Sequence, residues 1–538
     1  MEIALPVLGG LGLFLYGMNL MGTGLQKAAG EKLKKLIEIL TNNRLMGVIV
    51  GALVTMVVQS SSATTVMVIG FVNAGLMTLP QATGVIMGAN IGTTITAQLI
   101  AFKLTDFAPL AVAIGMGIWI ISSNKKAKNF AETMIGFGIL FIGMGMMGNG
   151  LKPLADSPTF RNIMVSLNDP ILGILVGLGL TTILQSSSAS IGLLQALASQ
   201  GLINLNIAFP ILFGDNIGTT TTTLISSVGT NKTAKRAAVI HFLFNLVGTI
   251  IFMFLLRVPI QKIVLKLSPN DIQRQVANAH TLFNIINVAI QLPFANFLVR
   301  AAMRIVPGDI EETAEAGLRF LDLRIIETPS IALGQVNKEV LRMGKIVEEN
   351  LIVAAKAFKN KDEKLTQEVF SQEKVINRLE KDIVEYLVEL SNAPLTDEQY
   401  THVNILMNVV NDIERVGDHA DNIAELAQTS VDERLQFSDN AIEEFDNIFN
   451  KSHQVFKKTL EALKDIDFEK AREVLRLEED IDALEKEYRT THIDRLNKFL
   501  CQPSSGAVFL DLLSNFERIS DHSSNISLYV LDQLEDKN

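Results

Sequence analysis

The hydrophobic pattern divides the chain into two regimes that meet near residue 305. Before it, apolar residues come in long runs almost free of charge. After it they recur every third or fourth position among acidic and basic residues. The runs predict membrane spans at 3–26, 45–73, 80–102, 107–123, 131–151, 171–199, 207–229, 237–257 and 280–299. A helix needs about 20 residues to cross a bilayer, and 45–73 and 171–199 are clearly longer than that. In the second regime Ile331, Val336, Val340, Met343 and Val347, then Val375, Leu379, Ile383 and Leu387, keep helical spacing. Thr328-Pro329 fits a helix start, because proline lacks an N–H that the first turn would leave unused. Further helices are expected over about 397–428, 438–463, 467–500 and 504–534, and no strand-like alternation appears. The predicted fold class is all-α: a polytopic membrane protein followed by a soluble bundle of six long antiparallel helices. The domains are 1–305 in the membrane, 306–329 as linker and 330–538 as helical domain.

The membrane half is written twice. Gln59-Ser60-Ser61-Ser62-Ala63 returns as Gln185-Ser186-Ser187-Ser188-Ala189. Asn90-Ile91-Gly92-Thr93-Thr94 returns as Asn216-Ile217-Gly218-Thr219-Thr220. Gly17, Met18, Met21, Gly22 and Gly24 reappear as Gly143, Met144, Met147, Gly148 and Gly150 at the same offset. A register held this long marks duplication of one structural unit. Repeat one is 1–125 and repeat two 126–305.

Basic residues orient the copies, since Lys and Arg in short loops stay cytoplasmic. Lys27, Lys32, Lys34, Lys35 and Arg44 place loop 27–44 inside, whereas its counterpart 153–170 holds only Arg161 and falls outside. The repeats are therefore expected to be inverted. Lys125, Lys126 and Lys128 also belong inside, as do Lys232, Lys235, Arg236, Arg300 and Arg304. Three apolar segments between two inside loops require one that enters and leaves on the same side. The segment 45–73 fits, and 171–199 matches it from the outside: two re-entrant hairpins. The segment 258–279 then comes out external despite Lys262, Lys266 and Arg274.

A polar tract at mid-membrane must line a cavity or be buried in protein. A helix that breaks at Gln59 and restarts at Ala63 presents free N–H groups and a positive dipole end. With the hydroxyls of Ser60, Ser61 and Ser62, and of Ser186, Ser187 and Ser188, it suits an oxyanion. Gln, Asn and Thr oxygens and broken-end carbonyls suit Na+. Inverted-repeat transporters place their sites at such breaks. The glycines of the first segment are assigned to close helix packing. Asp215 stands where repeat one has Ala89. A lone carboxylate in an apolar span is functional by default; the structural alternative is a buried acid bonded to a neighbouring Thr. His241 is expected to be a bonded structural group.

The helical domain repeats too. Glu414-Arg415-Val416-Gly417-Asp418-His419 returns as Glu517-Arg518-Ile519-Ser520-Asp521-His522. Spacing i, i+4 puts Glu414 and Asp418 on one helix face, and Glu517 and Asp521 on another. The pairs suit a divalent or trivalent metal, or form a solvated face that Arg415 and Arg518 neutralise.

Charge and composition narrow the function. From Leu45 to Ser123 the only charges are Lys103 and Asp106, and from Pro170 to Asn231 the only one is Asp215. The net charge of −10 argues against nucleic acid as partner. The single cysteine, Cys501, rules out an intramolecular disulfide and fits a reducing compartment for the helical domain. The N-terminal apolar segment lacks a basic start and belongs to the repeat, so it is not expected to be a cleavable signal. No nucleophile–base pair and no nucleotide-cradling glycine loop is present, so no enzyme is expected and no cofactor is required.

At the paired Gln-Ser-Ser-Ser motifs the chain resembles the type II sodium–phosphate cotransporter family, over about residues 1–305. The resemblance implies inorganic phosphate held by Ser60 to Ser62 and Ser186 to Ser188. It implies sodium held by Gln59, Asn90, Thr93, Gln185, Asn216, Thr219 and Thr222. The residue before Asn216 contributes in the family, where it can be a neutral hydroxyl; here it is Asp215. Residues 330–535 resemble the PhoU-type phosphate-uptake regulators, pairs of three-helix bundles whose Glu-x-x-x-Asp motifs hold metal clusters. The reading is a sodium-coupled phosphate symporter of the cell (inner) membrane. Its regulatory domain is cytoplasmic and open to self-association or a regulatory partner. The alternatives are a phosphate exporter and a membrane phosphate sensor without turnover.

Overall fold

The computed structural model describes residues 3–29, 43–102, 104–308 and 317–535. Most of loop 27–44, with Lys32, Lys34 and Lys35, lies outside them, as do Lys103 and the linker residues 309–316. The described chain is all-helical and forms two compact units, Met1–Glu312 and Thr313–Asn538.

The first unit opens with α1 (Ala4–Ala29), α2 (Arg44–Val58), α3 (Ser61–Asn73), α4 (Leu79–Ile100), α5 (Ala108–Ile121) and α6 (Lys125–Leu151). It continues with α7 (Pro158–Ser166), α8 (Pro170–Leu184), α9 (Ser187–Ser199), α10 (Leu205–Ser226) and α11 (Lys232–Ile251). A π-helical segment (Phe252–Leu256) joins α11 to α12 (Arg257–Leu267); α13 (Ile272–Gln291) and α14 (Ala295–Ile305) follow. Asn43, Asp169, Asn204 and Asn231 cap α2, α8, α10 and α11 through their side chains, which satisfies backbone donors that each first turn leaves free.

Among the described residues five stretches are long and apolar enough to cross a bilayer: Ala4–Ala29, Leu104–Ile121, Lys125–Leu154, Lys232–Leu267 and Ile272–Ile305. The helices α4 and α10 have 22 residues each, long enough to cross, but their Asn and Thr residues dilute the hydropathy. Two expectations need correction. The span 237–257 does not end there; its helix runs on through the π segment to Leu267. The segment 258–279 is accordingly mostly helix, because a π-bulge absorbs a register change without ending the helix. The loop 153–170 likewise holds α7.

The repeats are inverted. By sequence register α1 and α6 are equivalent, yet they pack antiparallel. A Cβ on Gly10 would stand 2.7 Å from the Gly143 carbonyl, and one on Gly143 would stand 2.6 Å from the Gly10 carbonyl. Gly17 and Gly136 meet in the same reciprocal way, 2.7 Å each. The offset of 126 residues exchanges these two contacts, which is the signature of a two-fold axis. Only glycine allows backbones this close, so the packing role expected for Gly17 and its copy holds.

The hairpins follow from a second set of close approaches. A side chain on Gly84, Gly88 or Gly92 in α4 would strike the carbonyl of Arg44, Val48 or Ala52 in α2, in that order. The two helices therefore run the same way, side by side. Since α3 connects the end of α2 to the start of α4, it must double back. Gly214 and Gly218 of α10 abut Ile174 and Leu178 of α8 in the same manner, so α8 and α9 form the second hairpin.

The second unit holds six long helices: α15 (Pro329–Asn360), α16 (Glu363–Ser391), α17 (Asp397–Asp432), α18 (Asp439–Asp465), α19 (Phe468–Asn497) and α20 (Pro503–Glu535). Pro329 opens α15 as its sequence predicts. The buried stripe of α16 runs through Val369, Ile376, Leu379, Ile383 and Leu387, so Ile376 and not Val375 faces the core. At the seam of α17 and α20, His419 Nδ1 lies 2.8 Å from Asn515 Oδ1, and His522 Nδ1 lies 2.8 Å from Asp412 Oδ1. These two contacts are exchanged by the internal repeat.

Candidate functional site

Both Gln-Ser-Ser-Ser tracts lie at helix breaks. In α2 the last helical residue is Val58, and Gln59 takes a left-handed backbone, φ 58°. Gln185 does the same at the end of α8, φ 50°. Left-handed conformations are costly for residues with a Cβ, and the same outlier in both copies marks a selected geometry. The new helices start at Ser61 and Ser187, two residues earlier than Ala63 and its copy. Ser60 and Ser186 become N-caps: their hydroxyl oxygens accept from the N–H groups of Ala63 (3.1 Å) and Ala189 (3.2 Å). Capping at that position pulls the helix start forward. It leaves the N–H groups of Ser61 and Ser62, and of Ser187 and Ser188, outside each helical ladder at a positive dipole end. Ser61, Ser187 and Ser188 are buried, while Ser60, Ser62 and Ser186 are half-buried.

The cation candidates divide by how their donors are spent. Thr93 and Thr219 donate their hydroxyl protons to carbonyls of their own helices, Ala89 (3.1 Å) and Asn216 (2.7 Å). Asn90 donates through Nδ2 to Ile86 (2.9 Å). Their oxygens are left as acceptors, the form a hard cation requires. Gln59 is buried; its Oε1 accepts from Thr96 Oγ1 at 2.9 Å, and its Nε2 donates to the Met56 carbonyl. Gln185, its counterpart, is exposed, and Thr222 is half-buried. Among the described residues no hydrogen bond joins one serine tract to the other. Each hairpin reaches the other repeat further along: Thr65 Oγ1, one turn beyond the first tract, lies 3.0 Å from Thr223 Oγ1, and Gln195 Nε2, about two turns beyond the second, donates to the Ala97 carbonyl at 2.9 Å. Each hairpin thus leans on the other repeat's Asn-Ile-Gly-Thr-Thr helix.

Asp215 is fully buried, and one of its oxygens, Oδ1, accepts from both Thr181 Oγ1 (2.8 Å) and Ser190 Oγ (2.6 Å). The other, Oδ2, has no partner among the described residues, nor has Asn216 Nδ2 beside it. Repeat one places Thr55, Thr64 and Ala89 at the matching positions, and there Thr55 Oγ1 donates straight to Thr64 Oγ1 at 3.0 Å. Thr55, Thr64, Thr181 and Ser190 were not singled out in the sequence. The signal was available: Thr recurs four residues before each Gln, and Thr64 and Ser190 are hydroxyl residues in register. His241 is bonded, with Nδ1 3.0 Å from Thr223 Oγ1.

In the second unit each carboxylate pair sits beside its own arginine. Arg415 lies 3.0 Å from Asp418 and 3.8 Å from Glu414. Arg518 lies 3.5 Å from Asp521 and 3.6 Å from Glu517. The neighbouring helix adds acids that the motif alone did not reveal. Glu478 and Asp482 of α19 come together with Asp521 within ligand distance of one ion. Glu373 of α16 is buried among these acids, with Asn377 beside it. Burial, then Asp418, Asp421 and Glu414, push its pKa up to about 7. Burial and like charges also raise Glu414, Glu478 and Glu517. Crowded carboxylates of this kind fit a hard multivalent cation, whose charge relieves the repulsion.

The comparisons with known proteins divide at the same place. The family described as Na+/Pi-cotransporter matches residues 13–149 and 141–268, and the PhoU domain matches 340–427 and 445–530. The uncharacterized protein YqeW of Bacillus subtilis is 31% identical over 296 residues, 55% of this chain and 95% of YqeW. YjbB of Escherichia coli strain K12, whose name marks it as a candidate inorganic phosphate export protein, is 25% identical over 535 residues, 98% of this chain and 97% of YjbB. Sodium-dependent phosphate transport protein 2C of Rattus norvegicus is 45% identical over 95 residues, 16% of each chain.

Proposed function

The chain belongs to the Na+/Pi-cotransporter family and carries a PhoU domain; from that premise we propose that it is a secondary transporter coupling inorganic phosphate to Na+. The observation that carries the reading is the duplicated helix break, with free N–H groups and serine hydroxyls for the anion and acceptor-only oxygens on the helix that follows each hairpin. Phosphate binds at Ser60, Ser61, Ser62, Ser186, Ser187 and Ser188. Sodium binds at oxygens drawn from Gln59, Asn90, Thr93, Gln185, Asp215, Asn216, Thr219 and Thr222. Ion binding in the breaks moves the hairpins between inward- and outward-facing states.

The transporter sits in the cell membrane with its helical domain in the cytoplasm. That domain regulates flux, and a multivalent metal bound at Glu414 and Asp418, and at Glu517 and Asp521, stabilises its bundles. A second reading, export, is favoured by the resemblance to YjbB over nearly the whole of both chains. Direction is set by gradients, so one assay addresses both readings. Purified protein in liposomes is given an inward Na+ gradient, with K+ as control, and radiolabelled phosphate is followed. Accumulation above the outside concentration supports coupled transport; binding without accumulation supports a sensor. Ser61→Ala and Ser187→Ala are each expected to abolish flux with the protein still inserted. Undiminished flux in both would remove the serine tracts from the site.

A further inference from the structure

The buried side of α13 carries a polar stripe, interrupted at Ala277 and flanked by the apolar Val276, Ala279 and Phe283. Gln273, His280, Asn284, Asn287 and Gln291, with Ala277 between the first two, fall at spacings of four and three, and all are buried. From 273 to 291 this stripe runs about 27 Å at the rise of an α-helix, close to the roughly 30 Å hydrocarbon thickness of a bilayer. A polar stripe this long, buried in protein and facing away from lipid, is the mark of a functional path in a membrane protein.

Its groups are poorly satisfied. Both ring nitrogens of His280, Oδ1 of Asn284 and Nδ2 of Asn287 find no partner among the described residues. The same holds for Asn245 Oδ1 on the facing α11. Asn284 spends its Nδ2 on the His280 carbonyl, and Gln291 bridges to Asn287 Oδ1 (2.7 Å) and the Phe244 carbonyl (2.9 Å). Asn287 packs directly on Gly248 of α11. Native interiors leave few such groups unpaired, and those they leave need a reason. Two further features stand at this seam. The π segment Phe252–Leu256 interrupts the long helix opposite, a geometry frequent at functional sites. Three aromatic rings close the adjoining space: Phe283 lies 4.6 Å from Phe252 and 5.0 Å from Phe213, centroid to centroid.

We propose that this seam is a closed gate: when α11 and α12 flex at the π segment, the α13 stripe becomes the wall of a water-filled vestibule leading toward the hairpin breaks. The unpaired amides and imidazole disfavour the closed state and are hydrated in the open one. This rests on the transporter reading above and extends it to helices that lie beyond the duplicated motifs. The solutes that pass are water, Na+ and phosphate, which neutral amides wet without trapping.

The chain has one native cysteine, Cys501, so a Cys501→Ser background allows a clean test on the full-length protein in liposomes. Ala277→Cys, Asn284→Cys and Asn287→Cys are exposed to a charged, membrane-impermeant methanethiosulfonate, with Na+ plus inorganic phosphate or with K+ alone. Ala277→Cys adds only one sulfur atom and keeps the test alive if the larger changes misfold. Ile285→Cys, on the half-exposed outer face, is the lipid-facing control. The expected result is labelling at the three inner positions, at least fivefold faster in one ionic condition than in the other, and none at 285. Phosphate flux is measured on the same vesicles before labelling. Intact flux with no labelling, or with equal rates in both conditions, overturns the gate alone. Absent flux with no labelling fails the gate and the transporter reading together.

Discussion

The two helix breaks are built from one plan and differ in charge at one buried position, 89 in repeat one and 215 in repeat two. In repeat one, Thr55 donates directly to Thr64, and Ala89 fills the space alongside. In repeat two, Asp215 replaces that alanine and takes both hydroxyls, from Thr181 and Ser190, leaving one oxygen without a partner among the described residues. The first arrangement is electrically neutral and closes on itself. The second holds a carboxylate that is favourable in a dry interior only with a compensating cation or proton. Duplication supplied two similar frames, and the exchange of Ala89 for Asp215 makes their interiors electrically different.

The comparison can be broken most directly at Asp215. Asp215→Ala should let Thr181 and Ser190 bond to each other as Thr55 and Thr64 do. The loss of a buried charge partner is expected to weaken Na+ dependence of flux about 100-fold, read as the Na+ concentration for half-maximal uptake. An unchanged Na+ curve would remove Asp215 from the coupling site. The converse change, Ala89→Asp, puts a carboxylate at a fully buried position where repeat one holds none. It should destabilise the protein by about 2–4 kcal/mol in K+, measured by thermal unfolding in detergent, with partial recovery in Na+. Wild-type stability in K+ would mean that repeat one accepts a charge as readily as repeat two.

A smaller effect tests the hydroxyls. Thr181→Val removes a bond to a carboxylate and should cost about 2 kcal/mol, whereas Thr55→Val removes a neutral pair and should cost about 1 kcal/mol. Equal losses would show that the carboxylate adds nothing to the bond. The smallest effect concerns what the frames share. Ser60→Ala and Ser186→Ala each lose one capping bond and should lose about 1 kcal/mol apiece; clearly unequal values would argue that one serine does more than cap its helix.

Much of this was legible in the chain itself. The offset between the motifs fixed the duplication, because an exact register over a whole unit has no other simple cause. The apolar runs and the i, i+3, i+4 spacing were enough to predict an all-helical chain. Asp215 stood out because a charge in a span is rare. Span ends were less legible. A π segment leaves no hydropathy signal, so the long helix through Leu267 looked like a span followed by a loop. The restart at Ser61 depended on which hydroxyl caps the helix, a choice between near-equal neighbours.

What only the tertiary structure decided is which distant groups meet. Sequence register makes Thr181, Ser190 and Asp215 counterparts of Thr55, Thr64 and Ala89, but not their bonding, since they lie on three helices. It places Glu373 far from Glu414, and only the packing of α16 on α17 crowds their charges. The sequence determines local geometry because backbone propensity and hydrophobic period act over a few residues. Partners across helices are set by close glycine contacts and by the need to satisfy polar groups away from water, and those are properties of the folded whole.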